Sequence, residues 1–126
     1  MTVTLSEAAT AFVTDRHLAS LTTLRRDGTP HVVPVGFTWD ADAAVVRVIT
    51  DGASLKAKNV RRHGYASVCQ VDGARWITLE GPATVRADKP SVHDAERRYE
   101  ARYRPPRVNP TRVVIEIRVA RVLTRL

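Results

Sequence analysis

Asp-Gly pairs divide the sequence into short runs in which apolar residues alternate with others. Asp27-Gly28 and Asp72-Gly73 each separate two such runs. Asp-Gly between alternating segments is a strong signal for a tight hairpin turn. A third pair, Asp51-Gly52, comes where alternation gives way to helical spacing. These turns favour antiparallel neighbours over strand–helix–strand units.

Alternation predicts six β segments bounded by turn residues, at 17–24, 30–39, 44–50, 64–71, 75–86 and 112–122. Two of them contain proline. Pro34 cannot donate a ladder hydrogen bond, which indicates an edge strand, a bulge or a docking point. Gly81-Pro82 predicts a bulge or bend inside a long strand.

Helical spacing predicts three short helices, over 4–16, 54–63 and 90–103. Thr4 followed by Glu7 fits a capping box, Ala53 or Ser54 caps the second helix, and Pro90 starts the third. A length of 126 residues suits one domain, and no linker divides it. We therefore expect a single α+β domain, residues 1–126, with a barrel-like antiparallel sheet.

Composition narrows the class of protein further. The chain is 44% apolar, has one cysteine, and contains no apolar run long enough to span a membrane. Its first residues lack the pattern of a secretory signal, so we expect a cytoplasmic protein. The net charge of +7 favours an anionic partner: nucleic acid, a phosphorylated cofactor or a carboxylate-rich ligand. Two Phe, two Trp and three Tyr are few for a surface that stacks several bases.

A basic segment over residues 50–63 is the first candidate site. It carries Lys56, Lys58, Arg61 and Arg62, with no acidic residue after Asp51. A strand end, a glycine turn and a helix start together present free N–H groups and the positive end of a helix dipole. The segment is therefore either a phosphate-binding site or a solvated basic face.

Two further segments each allow two interpretations. The proline and glycine within residues 30–37 leave backbone groups that could bind a flat heterocycle, or they mark a bend of the barrel. Trp76 follows a hairpin turn, where it serves either as a core or interface anchor or as a wall that stacks on a ring. The four histidines show no metal-ligand spacing, and we expect no metal site. No catalytic acid, base or nucleophile is identifiable.

Across nearly its whole length the chain resembles the pyridoxamine-phosphate-oxidase-like superfamily, the split β-barrel flavin and deazaflavin oxidoreductases. The resemblance runs through LASLTTLRRDGTPHVVPVGF, VRVITDGASLKAKNVRRHGYASV and WITLEGPATV. RHLASLTTL, VITDGASLKAKN, QVDGARWITLEG and RYRPPRVNPTRVVIEI are most similar to the actinobacterial F420-dependent biliverdin reductases. The resemblance implies an FMN-binding split β-barrel that forms a homodimer, with cofactor sites between the subunits.

The resemblance also implies site residues and a cofactor, the deazaflavin coenzyme F420. Ser54 and Lys56 match the phosphate-binding S-x-K motif, and the other implied contacts are Thr50, His31, Pro34, Val35, Gly36, Asn59, Arg61 and, from the facing subunit, Trp76. Leu55 replaces an arginine that FMN-dependent oxidases carry, which favours F420 over FMN. The segment that binds substrate at the C-terminus of those oxidases has no match here, which argues against pyridoxamine phosphate as substrate.

The implied reaction is hydride transfer from reduced F420 to a conjugated small molecule, with biliverdin reduced to bilirubin. An FMN-dependent oxidoreductase of the same fold is the alternative enzyme. A barrel that binds a cofactor or a tetrapyrrole without turnover is the alternative outside enzymes. We expect neither nucleic acid nor a membrane as partner.

Overall fold

The computed structural model describes residues 2–126, which form three helices and eight strands. The elements are α1 Glu7–Thr14, β1 Ala19–Leu24, β2 Pro30–Val35, β3 Thr38–Asp40, β4 Val45–Asp51, α2 Leu55–His63, β5 Tyr65–Asp72, β6 Arg75–Arg86, α3 Lys89–Arg102, β7 Arg112–Arg118 and β8 Arg121–Arg125. Every strand pair is antiparallel. The predicted α+β class is confirmed.

Strand β6 belongs to two sheets. The strand order is β2-β1-β5-β6-β7-β4-β3, and β8 pairs with β6 beside this path. Residues 76–80 of β6 pair with β8, whereas residues 83–86 pair with β7. Gly81 lies at the change of partner, where a Cβ atom would overlap the Arg118 carbonyl oxygen. The bend predicted at Gly81-Pro82 is therefore where one strand passes from the first sheet to the second.

The core fills the space between the two sheets. Its largest fully buried side chains come from α1, from the β2–β3 connection and from the inner faces of β1, β6 and β7; they include Phe12, Phe37, Leu21, Ile77, Leu79, Ile115 and Ile117. Within residues 2–126, no helix combines the length and apolar character needed to cross a membrane.

The predicted count of six strands is wrong, because two predicted strands are each interrupted. The segment 30–39 divides into β2 and β3 at Gly36-Phe37, where the Phe37 N–H donates to the Tyr103 hydroxyl at 3.1 Å. The segment 112–122 divides into β7 and β8 at Val119-Ala120. There the two N–H groups donate to Ala44 O and Glu80 O, which turns the chain from one sheet to the other.

Two helix starts also differ from prediction. Helix α1 begins at Glu7, and its cap is Ser6, whose hydroxyl oxygen accepts from the Ala9 N–H. The capping box predicted at Thr4 is therefore wrong. Helix α3 is capped by Asp88, so Pro90 lies in its first turn. Of the two caps predicted for α2, Ala53 and Ser54, the structure shows Ser54.

One face of the first sheet is uncovered. Residues paired directly across antiparallel strands share a face. The register places Leu24, Val32, Tyr65, Val71 and Leu123 together on the outer side of β1, β2, β5 and β8. Val32 is 56% exposed and Val71 is 57% exposed. We call this surface the open sheet face; nothing in residues 2–126 covers it.

Candidate functional site

A cleft of about 550 Å³ opens where β2 and β4 end and where α2 begins. The end of α3 and the loop after it form the opposite wall. We call it the main cleft; its lining residues are Pro34, Val35, Gly36, Ile49, Thr50, Asp51, Lys56, Tyr99, Arg104, Pro105, Pro106, Arg107, Asn109 and Arg112. Five of the eleven predicted site residues lie in this wall: Pro34, Val35, Gly36, Thr50 and Lys56.

The start of α2 carries the donors of an anion site. The Ser54 hydroxyl oxygen accepts from the Ala57 N–H at 3.3 Å and from the Thr50 hydroxyl at 3.0 Å. With its oxygen occupied, Ser54 can still donate its own hydrogen. The N–H groups of Leu55 and Lys56 open the helix and have no acceptor within it, so they concentrate positive potential here.

Lys56 contributes the charge at this helix start. Its side chain is partly buried and lines the main cleft. A cation in the first turn opposes the helix dipole, so the position is unfavourable in the free protein. A bound anion would reverse that effect, which supports an anion site rather than a solvated basic face.

His31 lies beside this anion site rather than in the wall of the main cleft. Its Nδ1 atom is buried and has no hydrogen-bond partner among residues 2–126. Burial lowers the pKa of His31 below 6.5, and the positive charges of Arg25 and Lys56 lower it further. His31 therefore carries a buried polar atom without a partner, within electrostatic reach of Lys56.

The break between β2 and β3 forms the other predicted part of the site. Strand β2 stands at the end of the strand order, so of the edge strand, bulge or docking point that Pro34 indicated, the structure shows an edge strand. An edge strand leaves half of its backbone groups unpaired, and a heterocycle could bind them. The rings of Tyr99 and Tyr103 pack against Gly36, where a Cβ atom would lie about 3 Å from both.

Sequence reasoning missed the wall that follows α3. Tyr99, Arg104, Arg107, Asn109 and Arg112 all line the main cleft, although residues 104–110 fall between the last predicted helix and the last predicted strand and none of the five was predicted as a site residue. The density of arginine and proline in this stretch was the available signal. What the sequence did not indicate is that the loop folds back onto the end of β4.

Polar bonds hold this loop to the rest of the cleft. Asp51 accepts from the Thr111 hydroxyl and, at 3.3 Å, from Asn109 Nδ2. The bond from Thr111 and a bond from the Ala53 N–H lower the pKa of Asp51. Arg112 is paired with Glu96 at 2.6 Å. Lys56, Arg104 and Arg107 are consequently the cleft cations that form no ion pair within residues 2–126.

The structure places the predicted site residue Asn59 away from the main cleft. It is fully buried; its Nδ2 donates to Thr23 Oγ1 at 3.0 Å and its Oδ1 accepts from Arg62 at 3.2 Å. These bonds anchor α2 to β1, and the side chain has no access to the cleft. Arg61 instead fixes the turn before α2, because its guanidinium donates to Gly52 O at 2.8 Å.

Leu55 and Trp76 also lie outside the main cleft. The Leu55 side chain is 43% exposed next to the anion site. Trp76 opens β6 opposite Val71, so it lies at the open sheet face. Within residues 2–126, no group of three or more His, Cys, Asp or Glu side chains is placed to hold a metal ion.

Comparison with known proteins identifies the family to which this chain belongs. The family model described as pyridoxamine 5'-phosphate oxidase matches residues 5–126. The chain belongs to the pyridoxamine 5'-phosphate oxidase family. The family assignment predicted from the sequence motifs is thereby confirmed.

Individual family members are similar over most of the chain. An F420H2-dependent biliverdin reductase of Mycobacterium tuberculosis (strain CDC 1551 / Oshkosh) is 58% identical over 122 residues, covering 97% of this chain and 89% of the relative. A conserved hypothetical protein of Mycobacterium tuberculosis has a solved structure with a TM-score of 0.82 and 24% identity, covering 97% and 85% of the two chains. A solved F420 reductase has a TM-score of 0.77 and 23% identity, covering 94% and 98%. At these identities the two structures show a common fold.

Proposed function

We propose that this chain is an F420H2-dependent reductase that converts biliverdin to bilirubin. The observation that carries the proposal is the 58% identity to the mycobacterial biliverdin reductase over 97% of this chain. The main cleft supports it independently, because its donors suit the chemical groups of the cofactor.

Coenzyme F420 combines a flat deazaflavin ring, a phosphodiester and an acidic oligoglutamate tail. We assign the phosphodiester to the start of α2, where Ser54, Lys56 and two free N–H groups converge. The buried Nδ1 of His31 supports that assignment, because an unpartnered polar atom beside a cationic site suits an anionic ligand. Arg107 faces the same cleft and suits the carboxylates of the tail.

The chain's own part in the reaction is binding, orientation and exclusion of water. When bound, the cofactor supplies the hydride. Pro34, Val35 and Gly36 present the edge of β2 to the ring, and Tyr99 closes the cleft on the other side. Among the lining residues of the main cleft, Asp51 is the one carboxylate, and none is a histidine. Both Asp51 oxygens already accept hydrogen bonds, so no lining residue is placed as an acid–base group.

We propose further that the enzyme is a homodimer with two sites at the interface. The open sheet face supports this arrangement, since exposed apolar surface shared by several strands is typical of an interface. Trp76 lies at that face and would approach the ring of the partner's cofactor. A single domain over residues 1–126 and a cytoplasmic location stay predictions.

The test is anaerobic mixing of the protein with reduced F420 and biliverdin. Recovery of the F420 absorbance together with bilirubin formation is the expected result; no oxidation of F420H2 in the presence of biliverdin would refute the proposal. Purification from a host that lacks F420 tests the FMN alternative. Colourless protein is expected, whereas yellow protein with flavin fluorescence would favour FMN.

A further inference from the structure

A second cavity of about 420 Å³ adjoins the main cleft. We call it the side cavity; its lining residues are Arg16, His17, Leu18, Tyr99, Tyr103 and Arg104. Tyr99 and Arg104 line both spaces, so the two are neighbours across one tyrosine ring. If the cofactor occupies the main cleft, a second ligand that reacts with it needs a separate space of this kind.

The side cavity is basic and carries no acidic lining residue. Arg16 and Arg104 form no ion pair with a carboxylate in the part of the chain that the structure describes. His17 lies 3.6 Å from Asp72 through its Nε2 atom. Two unpaired guanidinium groups, each with a planar fork of donors, match carboxylate groups in geometry and charge.

The backbone that carries Arg16 is held in place on both sides. Arg102 donates to Asp15 O from Nε at 2.9 Å and from Nη2 at 2.7 Å. The Tyr103 hydroxyl donates to His17 O at 2.7 Å while it accepts from the Phe37 N–H. These bonds fix the loop before β1 against the end of α3, so both arginines project from ordered backbone without a ligand present.

We propose that the side cavity is the carboxylate subsite for the substrate, with Arg16 and Arg104 binding the two propionates of biliverdin. This inference rests on the proposed function. Tyr99 forms the apolar wall that the two spaces share, and the conjugated part of the tetrapyrrole lies along it toward the main cleft. The subsite therefore selects conjugated substrates that carry carboxylates.

The experiment compares biliverdin with its dimethyl ester, which keeps the conjugated system and removes both negative charges. Three variants are used: Arg16→Gln, Arg104→Gln and the pair combined. Arg26→Gln is the matched control, since Arg26 lies in the exposed β1–β2 turn and lines neither cavity. Each protein is assayed for kcat and KM with reduced F420. Each is also titrated with biliverdin and with the ester in the absence of cofactor, by absorbance.

Each single variant is expected to raise KM and Kd for biliverdin by about tenfold, as loss of one charge-assisted contact does, with kcat within about twofold. The ester is expected to bind all proteins equally, and Arg26→Gln to match wild type. An equal change for biliverdin and ester, or no change for either, overturns the subsite. Absence of F420H2 oxidation with both substrates refutes the proposed function instead, and the titrations without cofactor then decide the subsite on their own.

Discussion

Lys56 occupies a position that a stable isolated helix would avoid. A cation in the first turn of α2 is repelled by the positive end of the helix dipole. The neighbouring Ser54 caps the same turn with its oxygen. The Lys56 side chain is therefore unfavourable for the stability of the free protein and favourable for the binding of an anion. Its removal allows the two effects to be measured separately.

We expect Lys56→Ala to weaken F420 binding by about 1.5–3 kcal/mol, the range for a hydrogen bond to a charged group. The free energy of unfolding should stay the same or rise slightly, because the repulsion from the helix dipole is removed. Fluorescence titration and thermal melting measure the two quantities. Lys58→Ala is the control on the exposed side of the same helix, and it should leave F420 affinity unchanged. Equal affinity of Lys56→Ala and wild type would remove the anion-site assignment.

His31 gives the anion site a pH dependence of known sign. Burial, Arg25 and Lys56 lower its pKa from 6.5 in the free protein. A bound anion offsets the two positive charges and raises that pKa again. Binding then takes up a proton, so we expect F420 affinity to increase as pH falls from the higher pKa of His31 in the complex toward its lower pKa in the free protein.

His31→Gln provides the comparison, since glutamine keeps a polar side chain but does not titrate in this range. The pH dependence of F420 affinity should be smaller in the variant than in wild type by the contribution of His31. Titrations of both proteins at the same pH values and ionic strength cancel any titration of the cofactor itself. Parallel pH profiles for the two proteins would contradict the assignment.

At the scale of elements, an ion-pair cluster attaches α3 to the second sheet. Asp40 on β3 is 8% exposed and pairs with Arg47 on β4 at 2.8 Å and with Arg98 on α3 at 3.3 Å. Arg98 also pairs with Asp94 at 3.0 Å. Burial raises the pKa of Asp40, but the hydrogen bond from Arg47, the Ala43 N–H and the charge of Arg98 outweigh it and lower the pKa below 3.8.

We expect Asp40→Asn to destabilise the protein by about 1.5–3 kcal/mol, because Arg47 and Arg98 each lose a charge-assisted bond to Asp40, although Arg47 keeps Glu116 and Arg98 keeps Asp94. A lowered carboxylate pKa contributes stability that is present above its unfolded value, 3.8, and is lost as pH falls through the folded value. The acid-induced loss of stability below about pH 4 should accordingly be smaller in the variant. Denaturant unfolding at several pH values measures both effects. Asp42→Asn is the exposed control, and a variant as stable as wild type would show that the cluster contributes nothing.

The elements that were predicted correctly are determined by residues close together in the sequence. The turn at Asp27-Gly28 and the Ser54 cap are local, and both are present. The interruption after Gly36 depends on Tyr103, which lies 66 residues beyond Phe37. The burial of Asn59 likewise depends on Thr23, 36 residues earlier. Periodicity and turn chemistry carry no signal for such pairs, which is why the strand count was predicted wrongly and the burial of Asn59 was not foreseen.

At the scale of the molecule, the open sheet face is where assembly can be tested. We expect Val71→Asp to convert a homodimer into a monomer, since a charge would be buried against apolar side chains on the partner. Sedimentation velocity at micromolar concentration measures the change. Activity should fall with dimer content, because each proposed site uses Trp76 of the partner subunit.

Val108→Asp is the matched control for that experiment. Val108 is 98% exposed in the loop after α3 and lies outside the open sheet face, so the same substitution should leave the oligomeric state unchanged. Wild-type protein that sediments as a folded monomer at micromolar concentration would contradict the dimer. An unchanged dimer in Val71→Asp would place the interface on another surface.

Because β6 is a member of both sheets, neither sheet can be completed without the other. The partners β7 and β8 are also the last strands in the sequence, so residues 75–86 stay unpaired on one side until almost the whole chain is available. Folding should then be a single cooperative transition dominated by contacts distant in sequence, which makes it slow for a chain of this length. In native-state hydrogen exchange, the amides of β6 in both sheets should exchange together, by global unfolding.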